Sequence, residues 1–131
     1  MVNRLWLTKF LVAPFFIGSI LLVPGCAAEP SVYANPDKAI VVAPGKEFVI
    51  DLESNPTTGY SWQETHDEMI VRLTGKTYEQ SVTGTPVVGG GGVESFRFQA
   101  LKSGTTEIEF FYKRAWEEEP IKETKFHVIV E

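Results

Sequence analysis

The sequence predicts an all-β protein: a sandwich of antiparallel strands that forms a single domain. Three observations support this fold class. Apolar and polar residues alternate with a period of two in several segments, turns rich in glycine and proline separate those segments, and the chain after residue 25 has almost no helical apolar spacing. Period-two alternation is typical of strands that bury one face and expose the other.

Four segments alternate most clearly: 46–52, 94–101, 107–113 and the last residues up to Val130. Shorter strands are predicted at 39–42, 60–63 and 69–74. Strands at this spacing in roughly a hundred residues indicate an immunoglobulin-like antiparallel β-sandwich. Its inward-facing residues are predicted to be Phe48, Ile50, Leu52, Phe96, Phe98, Ala100, Ile108, Phe110, Tyr112, Phe126, Val128 and Val130.

Two dipeptides mark turns between these strands. Pro44-Gly45 fits the central positions of a type II turn, where glycine accepts a positive φ. Ser103-Gly104 lies between two aromatic-rich strands and is expected to close a hairpin between them.

The first 25 residues are typical of a signal peptide for export. Arg4 and Lys9 precede an apolar run over 10–23, which is short for a membrane span of about 20 residues. We expect residues 1–25 to be removed, 26–37 to form the modified amino terminus with a short tether, and 38–131 to form the sandwich domain.

Cys26 is the only cysteine, so no intrachain disulfide can form. Residues 22–26 resemble a bacterial lipobox, in which the cysteine is acylated after cleavage. This interpretation predicts an exported protein held at a membrane of the cell envelope by a lipid on Cys26. The alternative is ordinary signal cleavage near Ala27-Ala28, which would discard the cysteine.

The charge of the chain argues against two kinds of partner. The full sequence has a net charge of −5, and losing Arg4 and Lys9 leaves ten basic against seventeen acidic residues, or −7. An acidic chain without a basic stripe argues against nucleic acid and against electrostatic binding to anionic lipid. Any membrane contact is therefore left to Cys26.

Three loops differ from ordinary turns. The first, 55–60, contains a stiff proline, two adjacent threonine hydroxyls and a glycine. The second, 89–92, consists of four glycines. The third, 114–116, follows a predicted strand and contains an arginine and a tryptophan. Each also has a plain structural explanation: a tight turn, a flexible linker, and a tryptophan folded over the sandwich edge. The residues concerned are Asn55, Pro56, Thr57, Thr58, Gly59, Tyr60, Gly89, Gly90, Gly91, Gly92, Arg114 and Trp116.

The sequence offers little for catalysis. Its histidines are His66, expected in a polar turn, and His127, expected on a strand surface, and neither lies near Cys26 in sequence. No nucleophile elbow or zinc signature is visible, residues 117–119 lack metal-ligand spacing, and the glycines lack the lysine of a phosphate loop. We expect neither enzyme activity nor a cofactor or metal.

Together the three loops resemble the motifs of the chagasin family of cysteine-peptidase inhibitors: N-P-T-T-G-[YF], G-x-G-G and R-P-W, in that order. Residues 55–60 match the first motif completely, and Gly89, Gly91 and Gly92 match the second. Arg114 and Trp116 match the third, while Ala115 stands where the family usually has proline. The resemblance extends over about 38–131.

The resemblance implies an immunoglobulin-like fold whose loops form a wedge for the active-site cleft of a papain-like cysteine peptidase, in a one-to-one complex. It implies that Thr57 and Thr58 lie nearest the catalytic pair, with 89–92 and Arg114/Trp116 on the two walls. The rival hypothesis is an envelope-anchored binding or adhesion module, which would tolerate changes in these residues.

Overall fold

The computed structural model describes residue 25 and residues 27–81 and 89–131. The predicted signal segment, apart from Gly25, and the predicted lipidation site Cys26 lie outside the described residues. The strands are β1 (Ser31–Tyr33), β2 (Ile40–Val42), β3 (Glu47–Ser54), β4 (Tyr60–Thr65), β5 (Val71–Gln80), β6 (Gly92–Ala100), β7 (Gly104–Arg114) and β8 (Lys122–Val130).

The described residues form two four-stranded sheets. One sheet has the order β1-β3-β6-β5 and the other β2-β8-β7-β4. The long neighbours pair antiparallel, from Glu47↔Gln99 to Ser54↔Gly92 in the first sheet and from Gly104↔Val130 to Tyr112↔Lys122 in the second. This arrangement confirms the predicted all-β sandwich.

The core lies between the sheets and follows the predicted alternation. In β6, β7 and β8 the buried side chains alternate along the strand, as expected for a pleated strand that buries one face. In β3, Val49 is buried as well as its neighbours Phe48 and Ile50. The buried apolar residues are Ile40, Phe48, Val49, Ile50, Leu52, Trp62, Val71, Phe96, Phe98, Ala100, Ile108, Phe110, Phe126, Val128 and Val130. Phe110 packs edge-on against Phe96, Phe98 and Phe126, which joins the two sheets.

The amino-terminal part corrects two predictions. Residues 31–33, expected within a tether, form β1, which pairs with β3 from Ser31↔Phe48 to Tyr33↔Ile50. This pairing is parallel, as is that of β2 with β8, so the sandwich is not wholly antiparallel. The alternation rule missed β1 because three residues are too few to show a period.

One predicted turn is confirmed and the other is wrong. Gly45 has φ +82°, and Lys46 N–H donates to Ala43 O at 3.1 Å, closing the turn at Pro44-Gly45. Ser103-Gly104 does not close a hairpin, because β6 and β7 belong to different sheets. Both strands are aromatic-rich because both face the core, one from each sheet. Strand β5 also continues to Gln80, beyond a bulge between Leu73 and Gly75.

Candidate functional site

The strand register gathers the three unusual loops at one end of the sandwich. The end of β3 pairs with the start of β6 at Ser54↔Gly92, and the start of β4 pairs with the end of β7 at Tyr60↔Arg114. The loop from β3 to β4 connects the two sheets at this same end. We call residues 55–60, 89–92 and 114–116 the loop edge.

The first loop is a single 3₁₀ turn over Pro56–Thr58. Proline fixes its own φ and suits the first position of the turn, where no backbone donor is needed. Thr58 N–H donates to Asn55 O at 3.3 Å, Gly59 N–H to Pro56 O at 3.0 Å, and Gly59 leaves the turn with φ +84°. Both threonine side chains are exposed, so the centre of the edge presents two hydroxyls.

Asn55 holds the loop together from within. Its side-chain oxygen accepts a hydrogen bond from the Thr57 hydroxyl, and its backbone oxygen accepts one from the Thr58 hydroxyl at 2.8 Å. Its side-chain amide donates to Gly89 O at 3.3 Å, which joins the first loop to the second. An asparagine at this position therefore orders two loops at once.

The glycines of the second loop do not all have the same surroundings. Gly89 is exposed with φ +90°, whereas Gly90 and Gly91 are half-buried. Ser81 N–H donates to Gly91 O at 3.1 Å, which closes the loop at its base. Gly92, predicted to contact a partner, is instead buried as the first residue of β6, so its environment is that of a sheet residue.

Arg114 braces the third loop against the first. Its Nε donates to Thr58 O at 3.0 Å, its guanidinium lies 4.4 Å from the centre of the Tyr60 ring, and Nη1 is 3.3 Å from Glu117. Trp116 is 73% exposed, and its ring lies so close to Gly59 that an added Cβ would be 3.1 Å away. The tryptophan thus stands at the loop edge and does not fold into the core.

Tyr112 supports the edge from below, although the sequence suggested only a core role for it. Its hydroxyl accepts a hydrogen bond from Asn55 N–H at 2.8 Å, and its ring packs on Tyr60 at 5.4 Å and on Trp62 at 4.8 Å. The sequence does contain one indication of this role. A tyrosine on an inward face, where a phenylalanine would also fit, predicts a hydrogen-bond partner for its hydroxyl.

The loop edge offers binding groups without a catalytic constellation. His127 is exposed on β8, as predicted, while the side chain of His66 is only 8% exposed, bonded to Glu64 and packed edge-on to Phe98. His66 does lie in the polar segment between β4 and β5, next to the turn at 67–70, but its side chain is buried there instead of facing water. Over residues 27–81 and 89–131 no three histidine, cysteine or acidic side chains come together as metal ligands.

A sequence model of the family described as "Chagasin family peptidase inhibitor I42" matches residues 41–130. The chain belongs to the chagasin family of peptidase inhibitors. Membership confirms that the protein is an inhibitor type and not an enzyme. The match includes all three segments of the loop edge, so the chagasin-family region carries the whole candidate site.

Two curated relatives show how far this chain has diverged in sequence from other members of the chagasin family. Amoebiasin-2 of Entamoeba histolytica is 30% identical over 83 residues, covering 62% of this chain and 68% of the relative. Chagasin of Trypanosoma cruzi is 29% identical over 89 residues, covering 63% of this chain and 78% of the relative.

Solved structures support the fold. The crystal structure of the cysteine protease inhibitor EhICP2 from Entamoeba histolytica has a TM-score of 0.64 at 24% identity, covering 77% of this chain and 95% of that one. The solution structure of Amebosin has a TM-score of 0.65 at 24% identity, covering 79% and 100%. The described strands therefore form the same sandwich as these chagasin-type folds.

Proposed function

We propose that the chain is a reversible inhibitor of papain-like cysteine peptidases that inserts its loop edge into the active-site cleft in a one-to-one complex. One observation carries the proposal: the three motif segments form one hydrogen-bonded edge with exposed hydroxyls at its centre and an exposed tryptophan at its side. The relative EhICP2 is described as a cysteine protease inhibitor.

We assign the roles of the three segments from the resemblance to the family motifs together with their positions along the edge. Thr57 and Thr58 are exposed at the centre of the edge. In the proposed complex they face the catalytic cysteine and histidine of the target, as the family resemblance implies. Gly89–Gly91 lie to one side, where the lack of side chains allows close approach of main chain to one wall of the cleft. Trp116 lies to the other side as a large apolar contact.

The hydrogen bonds within the edge favour tight binding because they order the loops before the complex forms. Each loop residue that is already fixed saves conformational entropy on association. Arg114 contributes mainly in this way, since its guanidinium is bonded to Thr58 and stacked on Tyr60. A rigid edge also resists cleavage, because it presents no extended strand across the catalytic cysteine.

The direct test is a titration of the chain from Ala27 to Glu131 against papain with a fluorogenic peptide substrate. We expect complete and reversible inhibition, reached at one inhibitor per enzyme. A folded sample that inhibits neither papain nor a cathepsin L-like peptidase would contradict the proposal and favour a binding module without inhibitory activity.

We expect Ala115→Pro to strengthen inhibition. Glu117 N–H donates to Arg114 O at 3.1 Å, so residues 114–117 form a β-turn with Ala115 at its second position. Proline favours that position, and its ring restricts the conformations of the free loop. The entropy lost on binding should fall by about 0.4–1 kcal/mol, which lowers the inhibition constant roughly two- to fivefold. Inhibition constants of the two forms against papain give the answer; an equal or weaker variant would show that this turn is not limiting.

We also propose that the protein is exported and held at a membrane of the cell envelope by a lipid on Cys26. The support is the apolar run over 10–23 followed by a lipobox-like Pro24-Gly25-Cys26. In the part of the chain that the structure describes, no helix has the length and apolar character to cross a bilayer.

Expression of the full chain in a lipoprotein-processing bacterium tests this proposal. We expect the protein to partition into detergent, with a mass increased by acyl chains on a chain that starts at Cys26. The Cys26→Ser variant should lose the acyl mass and partition into the aqueous phase. An unmodified chain cleaved near Ala27 would instead support ordinary secretion.

A further inference from the structure

Glu94 is a buried carboxylate at a position where the alternation of β6 calls for an apolar side chain. The residue is 3% exposed and points inward with Phe96, Phe98 and Ala100. A buried charge is costly unless charged and hydrogen-bonding partners surround it. Its partners therefore indicate what the carboxylate does in this fold.

The partners of Glu94 are the two stems of the first loop. Oε1 accepts a hydrogen bond from the Ser54 hydroxyl, at the last residue before the loop. The same oxygen accepts one from Trp62 N–H at 3.3 Å, two residues after the loop. Ser54 and Trp62 belong to different sheets, so one carboxylate oxygen holds the stems together across the sandwich.

Lys76 completes this arrangement from β5. Its Nζ lies 2.7 Å from Glu94 Oε2 and forms an ion pair with it, although the two atoms are not aligned for a hydrogen bond. The same Nζ donates a hydrogen bond to Trp62 O at 2.8 Å. Its Nζ also lies 4.9 Å from the centre of the Phe96 ring. Trp62 thus has its backbone N–H and C=O both held by this pair.

Simple stabilisation does not account for such a pair. Burial of the Glu94 carboxylate costs free energy that offsets much of its attraction to Lys76, whose side chain is 39% exposed and partly screened by water. Hydrogen bonds to a carboxylate do, however, impose direction on their donors. Glu94 also lies only two residues after the second loop, so its direction-setting contacts join the bases of two binding loops.

We propose that Glu94, paired with Lys76, is a positioning residue that fixes the first loop in its peptidase-binding geometry. The inference that this geometry serves peptidase binding rests on the proposed inhibitory function. The inference that Glu94 fixes the loop rests on its contacts with Ser54 and Trp62. The carboxylate itself lies beneath the edge and makes no contact with the peptidase.

The test compares three variants of the chain from Ala27 to Glu131, which contains the eight strands of the described residues. The double variant Glu94→Leu/Lys76→Met replaces the ion pair with apolar groups of similar size. Ser54→Ala removes one donor only. Val128→Ala, in the buried core at the opposite end of the sandwich, is the control for general loss of stability.

Three quantities are measured for each variant: the thermal midpoint, amide hydrogen exchange at Thr58 and Gly59, and the inhibition constant for papain. We expect the double variant to melt no lower than Val128→Ala. Both amides should nevertheless exchange roughly tenfold faster and the inhibition constant should rise roughly tenfold, the equivalent of about one charge-assisted hydrogen bond. Ser54→Ala should show the same pattern with a smaller change.

The positioning role would be overturned if the double variant kept its amide exchange rates and inhibition constant within twofold of those of the unmodified chain. It would also be overturned if these quantities changed only in proportion to the thermal midpoint, as in Val128→Ala. If the unmodified chain does not inhibit papain, the proposed function fails. The exchange rates at Thr58 and Gly59 then decide alone whether Glu94 positions the loop.

Discussion

Trp116→Ala is expected to weaken inhibition of papain by about 2–4 kcal/mol, or roughly 30- to 700-fold in the inhibition constant. The side chain is 73% exposed in the free protein and lies beside Gly59 at the loop edge. Burial of an aromatic ring of this size in a cleft removes a large apolar area from water. The loss should come mainly from faster dissociation, as is usual for truncation of an interface residue.

The thermal midpoint of Trp116→Ala should stay close to that of the unmodified chain, because an exposed side chain contributes little to the core. Met69→Ala is a suitable control: Met69 is 67% exposed, on the turn before β5 at the other end of the sandwich. That variant should inhibit normally. If the inhibition constant of Trp116→Ala were within twofold of that of the unmodified chain, the tryptophan would not be part of the interface.

Gly92→Ala is expected to destabilise the fold by about 1–3 kcal/mol, the usual cost of forcing extra volume into a packed site. An added Cβ would lie 2.2 Å from Glu79 O and 2.7 Å from the Tyr78 ring. The backbone oxygen cannot move aside cheaply, because Gly92 is paired with both Ser54 and Gln80. Since native domains are stable by only about 5–15 kcal/mol, the change should be evident as a lower thermal midpoint.

Gly75→Ala in β5 provides the matched comparison. A Cβ at Gly75 would meet only Arg97 Cβ at 3.9 Å, an ordinary van der Waals distance. We expect this variant to be neutral or slightly more stable, because alanine restricts the unfolded chain more than glycine does. Equal thermal midpoints for the two variants would show that β5 and β6 can separate at Gly92 without cost.

The sequence was sufficient for the sandwich because burial on one face leaves a period-two pattern in each long strand. Of the predicted inward residues, all but the half-buried Tyr112 are buried, whereas the pattern missed Ile40, Val49, Trp62 and Val71. Sheet membership was not predictable, since β6 and β7 carry the same pattern whichever sheet they belong to. The expected hairpin at Ser103-Gly104 failed for this reason: alternation reports which face is buried and not which strand is the neighbour.

The loop edge was predictable as a set of segments but not as a structure. Its motifs stand out because proline, glycine, arginine and tryptophan each have distinct physical properties. The contacts of Asn55 with Gly89 and of Arg114 with Thr58 cross 34 and 56 residues of chain, and no local pattern encodes them. Glu94 was detectable only as a charge on an apolar face.

The parallel pairing of β1 with β3 decides where the proposed lipid on Cys26 would lie relative to the loop edge. Because Ser31 pairs with Phe48, near the start of β3, the chain joins the sandwich at the end opposite the loop edge, and Val130 pairs with Gly104 at that same end. The eight residues of β3 span roughly 25 Å, whereas the residues between Cys26 and β1 reach no more than about 18 Å. A lipid at the amino terminus would thus seat the domain upright on the bilayer, with its inhibitory tip outermost and open to a peptidase that arrives from the water.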